Sequence, residues 1–127
     1  MRVLIVSWEY PPLIYGGLGR HVHGLAEALA AHGNDVAVVT QAHPGSRPDE
    51  QVNGVRVLRA TDADRRRDDD LPRWVATLND ALVRAARPLL ESWQPDVVHA
   101  HDLNTLWVGT KVKQQTGAKL VYDSHEL

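Results

Sequence analysis

Three glycines stand just before a predicted helix, in the run Gly16-Gly17-Leu18-Gly19. The free amides and the dipole at the start of a helix attract phosphate, and glycine lets a phosphate approach the backbone closely. An ordinary glycine-rich turn has the same residues, so the spacing leaves open whether this segment binds a phosphate or sugar or is only a turn. Trp8 and Tyr10 precede it, and their rings can stack on a sugar or pack over the glycines.

Histidines and carboxylates form two more groups, at residues 99–102 and 123–125. Imidazole and carboxylate are good metal ligands, but His99 lies deeper in a predicted strand than His101 and no other close group completes a coordination set. We therefore expect no metal and no cofactor, and we expect these histidines to be hydrogen-bonded structural residues or polar ligand contacts. His125 follows a strand that should lie beside the glycines, so it is a candidate catalytic residue; the alternative is a surface histidine.

Several familiar sites do not fit. Val22 stands where a dinucleotide-binding fingerprint needs its third glycine, and Thr40-Gln41 supplies no carboxylate for a ribose hydroxyl. No Gly-Lys-Ser/Thr sequence follows the glycines, so they are not a Walker loop. Adjacent residues cannot orient one another as a nucleophilic triad, which excludes that role for residues 123–125. A nicotinamide-dependent dehydrogenase is therefore the least favoured of the functions considered.

Short apolar runs alternate with amphipathic helical patterns along the chain. The predicted strands are residues 2–7, 35–40, 52–58, 96–101 and 119–123. Helices are predicted to begin at Leu18, at about Pro72 and near Leu103, and Pro88 is expected to kink or divide the second. This alternation predicts one α/β domain over residues 1–127, a doubly wound, Rossmann-like parallel sheet of about five strands with helices on both faces. Ligands should bind at the carboxyl ends of the strands.

The third helix and the charged run before the second helix carry more specific predictions. We expect Asp102 to cap the third helix and its inner face to comprise Leu103, Leu106, Trp107 and Thr110, with Trp107 in the core. Residues 65–70, three arginines followed by three aspartates, cancel their own charge and are predicted to form a solvated loop.

The composition is that of one globular domain. The 127 residues are 43% hydrophobic and 24% charged, with a formal net charge of -2, which argues weakly against nonspecific nucleic-acid binding. There is no cysteine, so disulfides and thiolate metal sites are excluded. No apolar run is long enough for a membrane span or a signal-peptide core, and we expect a cytoplasmic protein.

Four segments together resemble a known family. They are residues 7–12 (Ser-Trp-Glu-Tyr-Pro-Pro), residues 16–22 (Gly-Gly-Leu-Gly-Arg-His-Val), residues 95–102 (Pro-Asp-Val-Val-His-Ala-His-Asp) and residues 122–126 (Tyr-Asp-Ser-His-Glu). In this order they resemble the amino-terminal half of retaining glycosyltransferases of the GT-B fold, family 4, near the glycogen and starch synthases. The resemblance spans essentially the whole chain.

The resemblance implies specific roles. Gly16 and Gly17 would bring backbone amides toward the diphosphate of a nucleotide sugar, with Arg20 and His21 as further polar contacts on the donor side. His125 would contact the donor sugar near the reacting carbon. On the acceptor side the resemblance places His101 and Asp102, and Tyr10 is our candidate there for stacking on a sugar. The implied reaction transfers a glycosyl unit, with glucosyl expected, to an acceptor hydroxyl with retention, and the leaving diphosphate is stabilised by positive charge and amide dipoles.

The resemblance also implies partners. A GT-B enzyme catalyses transfer in the cleft between two such domains, so we expect the acceptor-side domain here to need a complementary carboxyl-terminal donor domain and to be inactive alone. An uncovered last strand predicts a homo-oligomer formed through an exposed edge. The alternative is a non-catalytic α/β module that binds sugar or phosphate. These interpretations of the function all depend on one geometric expectation. Gly16 and Gly17 should lie on the same rim of the ligand pocket as His125.

Overall fold

A single six-stranded sheet forms the centre of the molecule. The structure, a computed structural model, describes residues 1–61 and 71–125. The strands are β1 (Arg2–Val6), β2 (Asp35–Gln41), β3 (Asp49–Val52), β4 (Val55–Ala60), β5 (Val97–His101) and β6 (Lys119–Asp123). Their order across the sheet is β3-β4-β2-β1-β5-β6, and all neighbours are parallel except β3 and β4.

Helices cover both faces of the sheet, as predicted. Helix α1 (Gly17–Ala31) packs on one face, where its buried residues Leu18, Val22 and Ala26 meet Ile5 and other side chains of β1, β2 and β4. On the other face lie α2 (Leu71–Leu90) and α3 (Leu106–Thr116), whose buried side chains form a larger cluster with Leu4, Val39 and Val98 among others. Strands buried on both sides explain the continuous apolar runs of β1 and β2. The doubly wound, Rossmann-like α/β fold is confirmed.

The sheet has one strand more than the sequence predicted. Residues 52–58, predicted as one strand, contain the turn of a hairpin. In this hairpin β3 pairs antiparallel with β4. Asn53 and Gly54 form its turn with φ angles of 50° and 81°, the left-handed region that a two-residue hairpin turn requires. The β3 sequence, Asp49 to Val52, is polar and mostly exposed because β3 is an edge strand, and it therefore lacks the apolar run by which the other strands are found.

The sequence predicts that Pro88 kinks or divides the second helix. Helix α2 runs without interruption past Pro88 to Leu90, so the helix is not divided. Proline removes one backbone donor, and two residues before the last residue of a helix that loss affects only the last turn. The helix begins at Leu71, one residue before the predicted start. The charged run at residues 65–70 lies outside the described residues.

The predicted inner face of α3 is wrong for Leu103 and Trp107, whereas Leu106 and Thr110 are half-buried. A 3-10 turn, Leu103–Thr105, precedes the α-helix, and the residues facing the sheet are Thr105, Val108 and Val112. Leu103 and Trp107 are 60% and 50% exposed. Of the helices that the structure describes, none combines the length and hydropathy needed to cross a bilayer.

Candidate functional site

The strand order places one crevice at the carboxyl edge of the sheet. From β1 the chain passes through α1 to β2 on one side, whereas β5 lies on the other side of β1 and is reached from α2. Loops that leave β1 and β5 therefore diverge to opposite faces, and ligands of doubly wound sheets bind in the opening between them. Residues 7–17, here called the glycine loop, leave β1, and residues 99–102 end β5.

A buried carboxylate holds the glycine loop. Glu9 is 4% exposed, and its Oε1 accepts hydrogen bonds from Tyr15 N–H at 2.6 Å and Gly16 N–H at 3.1 Å. Close approach of Glu9 to α1 requires Gly19, because a Cβ there would lie 3.2 Å from the same Oε1 and 3.1 Å from Cγ1 of Ile14. Since the Gly16 amide is already paired, the amides left for an anion are those from Gly17 onward in the first turn of α1.

The register of β5 and β6 creates the polar side of the crevice. His101 pairs with Asp123 and His99 with Val121, so His99, His101 and Asp123 project from the same face of the sheet as α1. The Nε2 atom of His99 lies 3.7 Å from Oδ2 of Asp123. The rings of His99 and His101 stand 4.1 Å apart, and the His101 side chain is fully buried.

The segment after β6 brings His125 against His101. The Nε2 atom of His125 lies 3.1 Å from Nδ1 of His101. The backbone N–H of His125 donates to Oδ1 of Asp102 at 2.6 Å, and the Asp102 N–H donates to the Asp123 carbonyl at 2.9 Å. Asp102 therefore fixes this segment instead of making the predicted side-chain cap, for which the structure shows no hydrogen bond. Its φ of 66° and ψ of 159° lie in a region that a non-glycine residue adopts only under constraint.

The first turn of α1 contributes a further imidazole. His21 Nε2 lies 3.6 Å from Oδ2 of Asp123, and its ring centroid is 5.1 Å from that of His125. We call His21, His101, Asp123 and His125 the histidine cluster. Because Gly17 stands one turn before His21 on the same helix, the start of α1 and His125 share one rim, as the sequence reasoning required.

Burial sets the protonation of the inner histidines. The pKa of His101 is lowered to about 3, chiefly because burial penalises the imidazolium and next because His99 is beside it. The pKa of His99 is also lowered by burial, although the nearby Asp123 carboxylate opposes the shift. The His101 imidazole is therefore neutral at physiological pH. Its Nδ1 forms one hydrogen bond with Nε2 of His125, in which the tautomers decide which ring donates.

The remaining predicted residues occupy different settings. Arg20 is exposed in the first turn of α1, beside the donor-side glycines. Tyr10 is 2% exposed and packs edge-on against His23, so its ring faces the core and not the crevice. His101 contacts Nε2 of His125, and Asp102 accepts the backbone N–H of His125. In this structure both residues therefore hold His125 in place.

Sequence reasoning missed Glu9 and Asp123 as parts of the site. An acidic residue between a buried strand and a glycine-rich helix start was the available signal for Glu9, because loop amides need an acceptor when they are buried. For Asp123 the signal was its place at the end of a strand. Its pairing with His101 depends on strand register, which single residues do not reveal.

Known structures share this fold. The chain aligns over 99% of its length with sucrose-phosphate synthase from Thermosynechococcus elongatus, with a TM-score of 0.77, 21% identity and 33% of that chain covered. The catalytic domain of starch synthase IV from Arabidopsis thaliana, bound to ADP and acarbose, matches with a TM-score of 0.74 at 18% identity, covering 98% of this chain and 34% of the other. At these identities the likeness establishes the fold.

Sequence comparison establishes the family. Residues 16–127 match the family model "Glycosyl transferase 4-like domain". Glycogen synthase from Mycobacterium tuberculosis is 45% identical over 115 residues, covering 80% of this chain, and D-inositol 3-phosphate glycosyltransferase from Acidothermus cellulolyticus is 33% identical over 116 residues, covering 88%. The chain belongs to the glycosyl transferase 4-like family, and its resemblance to the amino-terminal domain of GT-B glycosyltransferases is confirmed. It spans 28% and 26% of the lengths of these two relatives.

Proposed function

We propose that these residues form the acceptor-side domain of a retaining glycosyltransferase. The enzyme would transfer a glycosyl unit, glucosyl by the likeness to glycogen synthase, from a nucleotide-diphosphate sugar to an acceptor hydroxyl. The bond between the anomeric carbon and the diphosphate breaks, and the acceptor oxygen bonds to that carbon from the same face. The proton of the acceptor hydroxyl passes to the departing nucleoside diphosphate, which leaves with the bonding electron pair. We propose no metal or cofactor for this transfer and a cytoplasmic location.

One observation carries the proposal: the start of α1 and the His125 imidazole meet at the crevice between β1 and β5. Amides from Gly17 onward, with the positive end of the α1 dipole, suit the developing charge of a leaving diphosphate. Arg20 and His21 stand in the same turn, and a guanidinium there adds positive charge for that diphosphate. Gly16 contributes through its bond to Glu9, which sets the path of the loop.

His125 is the residue proposed to contact the donor sugar near the reacting carbon. Its side chain is 24% exposed, whereas His101 behind it is fully buried. His101 and Asp102 would keep the imidazole in place through contacts to its Nε2 and its backbone N–H. Positioning of this kind supports a reaction because a small misplacement of a contacting group raises the barrier.

His21 and Asp123, which line the crevice, are 47% and 41% exposed, and this exposure supports the need for a second, donor-binding domain and inactivity without it. The decisive assay mixes the chain with the donor-side domain of the Mycobacterium tuberculosis glycogen synthase and follows radiolabelled glucose from nucleotide-glucose to a maltooligosaccharide. We expect no transfer by the chain alone, transfer by the mixture, and its loss in His125→Ala. His43→Ala, which removes a loop histidine outside the crevice, is the matched control.

Two outcomes would contradict the proposal: transfer that survives in His125→Ala, or no saccharide or nucleotide-sugar binding by calorimetry in any combination. Saccharide or phosphate binding by the chain with no transfer in any mixture would favour the non-catalytic binding module.

Self-association is a separate proposal. It is supported by β6, an edge strand on which Val121 and Tyr122 are 45% and 41% exposed, and a strictly monomeric mass by light scattering across concentrations would refute it.

A further inference from the structure

The histidine cluster brings four potential metal ligands from three parts of the chain to one point. His21 comes from α1, His101 from the end of β5, and Asp123 and His125 from the end of β6 and the residues after it. One donor atom from each lies within 4.8 Å of the other three. The sequence reasoning expected no metal because it found no residues to complete a set around the β5 histidines. The fold supplies them from α1 and β6.

The separations between donor atoms fit a tetrahedral ion. In a tetrahedral zinc site with bonds of about 2.1 Å, neighbouring ligand atoms lie about 3.4 Å apart. The Nδ1 atom of His101 is 3.1 Å from Nε2 of His125 and 3.9 Å from Oδ2 of Asp123. The same Oδ2 is 3.8 Å from Nε2 of His125 and 3.6 Å from Nε2 of His21. The separations from His21 to the other two histidines are at most 4.8 Å, so the His21 side chain would have to rotate toward the other three donors to complete the site.

The backbone that carries these ligands is already fixed. Asp102 joins the two strand ends, donating its N–H to the Asp123 carbonyl and accepting the His125 N–H on its carboxylate. The His101 side chain is fully buried, so the surrounding packing holds it in place. His21 and Asp123 are 47% and 41% exposed, which leaves a path for an ion from solvent.

The donor set also indicates which kind of ion would bind. Three imidazoles and one carboxylate suit zinc and similar transition metals, whereas magnesium prefers oxygen ligands in octahedral geometry. His99 lies behind the cluster, 3.7 Å from Oδ2 of Asp123, where it can stabilise the carboxylate without being a fourth imidazole ligand.

We propose that His21, His101, Asp123 and His125 bind one zinc ion in a tetrahedral site. This goes beyond the proposed transferase function and does not depend on it. The zinc would have no part in the transfer, and it would compete with a donor sugar for His125. A bound ion would occupy the His125 nitrogen that contacts His101 in the present structure. The cluster therefore has two alternative states, one with a hydrogen bond between imidazoles and one with a metal.

The test measures metal binding directly, on the whole 127-residue chain, without any transfer assay. Equilibrium dialysis with zinc chloride should give one ion per chain, and cobalt chloride should give the strong visible absorption of tetrahedral cobalt. Magnesium chloride should not bind. His21→Ala removes the most exposed ligand, so the variant should fold as the original does by circular dichroism while its zinc affinity falls about tenfold or more.

His23→Ala is the matched control, because it removes a histidine from the same helix that pairs instead with Glu27 at 2.7 Å. Its zinc affinity should equal that of the unaltered chain. The proposal is overturned if the unaltered chain binds no zinc, if His21→Ala binds it equally well, or if His23→Ala abolishes binding. Cobalt bound with the weak absorption of an octahedral ion would also overturn it.

Discussion

Replacing Glu9 by alanine tests the central support of the glycine loop. The carboxylate is buried and accepts two backbone hydrogen bonds, from Tyr15 at 2.6 Å and Gly16 at 3.1 Å. A hydrogen bond to a charged group contributes about 1.5–3 kcal/mol, and both amides are only partly buried, so water can replace some of the loss. We therefore expect Glu9→Ala to lower the free energy of unfolding by about 3 kcal/mol.

Glu9→Gln separates the charge of this group from its shape. The amide oxygen can accept the same two bonds without the charge, so we expect a loss of about 1–1.5 kcal/mol. Urea denaturation is the measurement: with a slope of about 1.5 kcal/mol per molar, the alanine variant should unfold at a midpoint about 2 M lower. Hydrogen exchange should show faster exchange at the amides of Tyr15 and Gly16 while strand amides keep their relative protection.

Glu91→Ala is the control, because Glu91 is an exposed residue just after α2. It should change the free energy of unfolding by no more than about 0.5 kcal/mol. The reasoning is refuted if Glu9→Ala costs no more than Glu91→Ala. It is also refuted if exchange at the two loop amides stays unchanged, since that would mean Glu9 does not hold the loop.

Two further predictions concern other parts of the fold. Gly109→Ala should lower the free energy of unfolding by about 1–2 kcal/mol, because the new Cβ would lie 2.8 Å from Leu120 Cδ1. Gly24→Ala, whose new Cβ would have nothing within 4 Å, should raise the free energy of unfolding by about 0.5–1 kcal/mol. Urea titrations that find Gly109→Ala more stable than Gly24→Ala would contradict the packing of α3. Burial raises the pKa of Tyr10 to about 12, so its neutral phenol stabilises the fold below pH 10 and that contribution is lost as pH rises through 12. Tyr10→Phe should therefore gain about 1.4 kcal/mol relative to the original chain between pH 9 and pH 11, and an unchanged difference would refute the shift.

The sequence predicted those elements whose burial leaves a pattern in the chain. Strands β1 and β2 carry continuous apolar runs because helices cover both faces of the sheet. The polar edge strand β3 leaves no such pattern and was missed. The buried face of α3 was predicted wrongly because residues 103–105 form a 3-10 turn with three residues per turn. Counting α-helical positions from Leu103 therefore places Trp107 on the buried face, although it lies on the exposed face.

The candidate site could be predicted only in part for a related reason. Residue types and positions at strand ends indicated His101, His125 and the glycines, since loops at the carboxyl edge of such a sheet meet. Contacts that depend on register or on a buried partner were beyond that reasoning. Asp123 joins the cluster because β6 pairs with β5 at His101, and Glu9 matters because two amides turn toward it.

The histidines of the crevice lower the stability of the fold. Nε2 of His101 is buried without a hydrogen-bond partner, and the nearest charged atom to the buried Nε2 of His99 is Oδ2 of Asp123 at 3.7 Å. Buried polar atoms without a partner also occur elsewhere in the described residues, for example at Gln41 and Trp74. An unsatisfied buried polar group costs about 1–3 kcal/mol, and apolar side chains of similar size would avoid that cost. Asp102 adds a strained backbone at the same place. The crevice differs from these other places because a strained backbone at Asp102 and two such imidazoles lie together beside the start of α1, a combination that stability alone does not require.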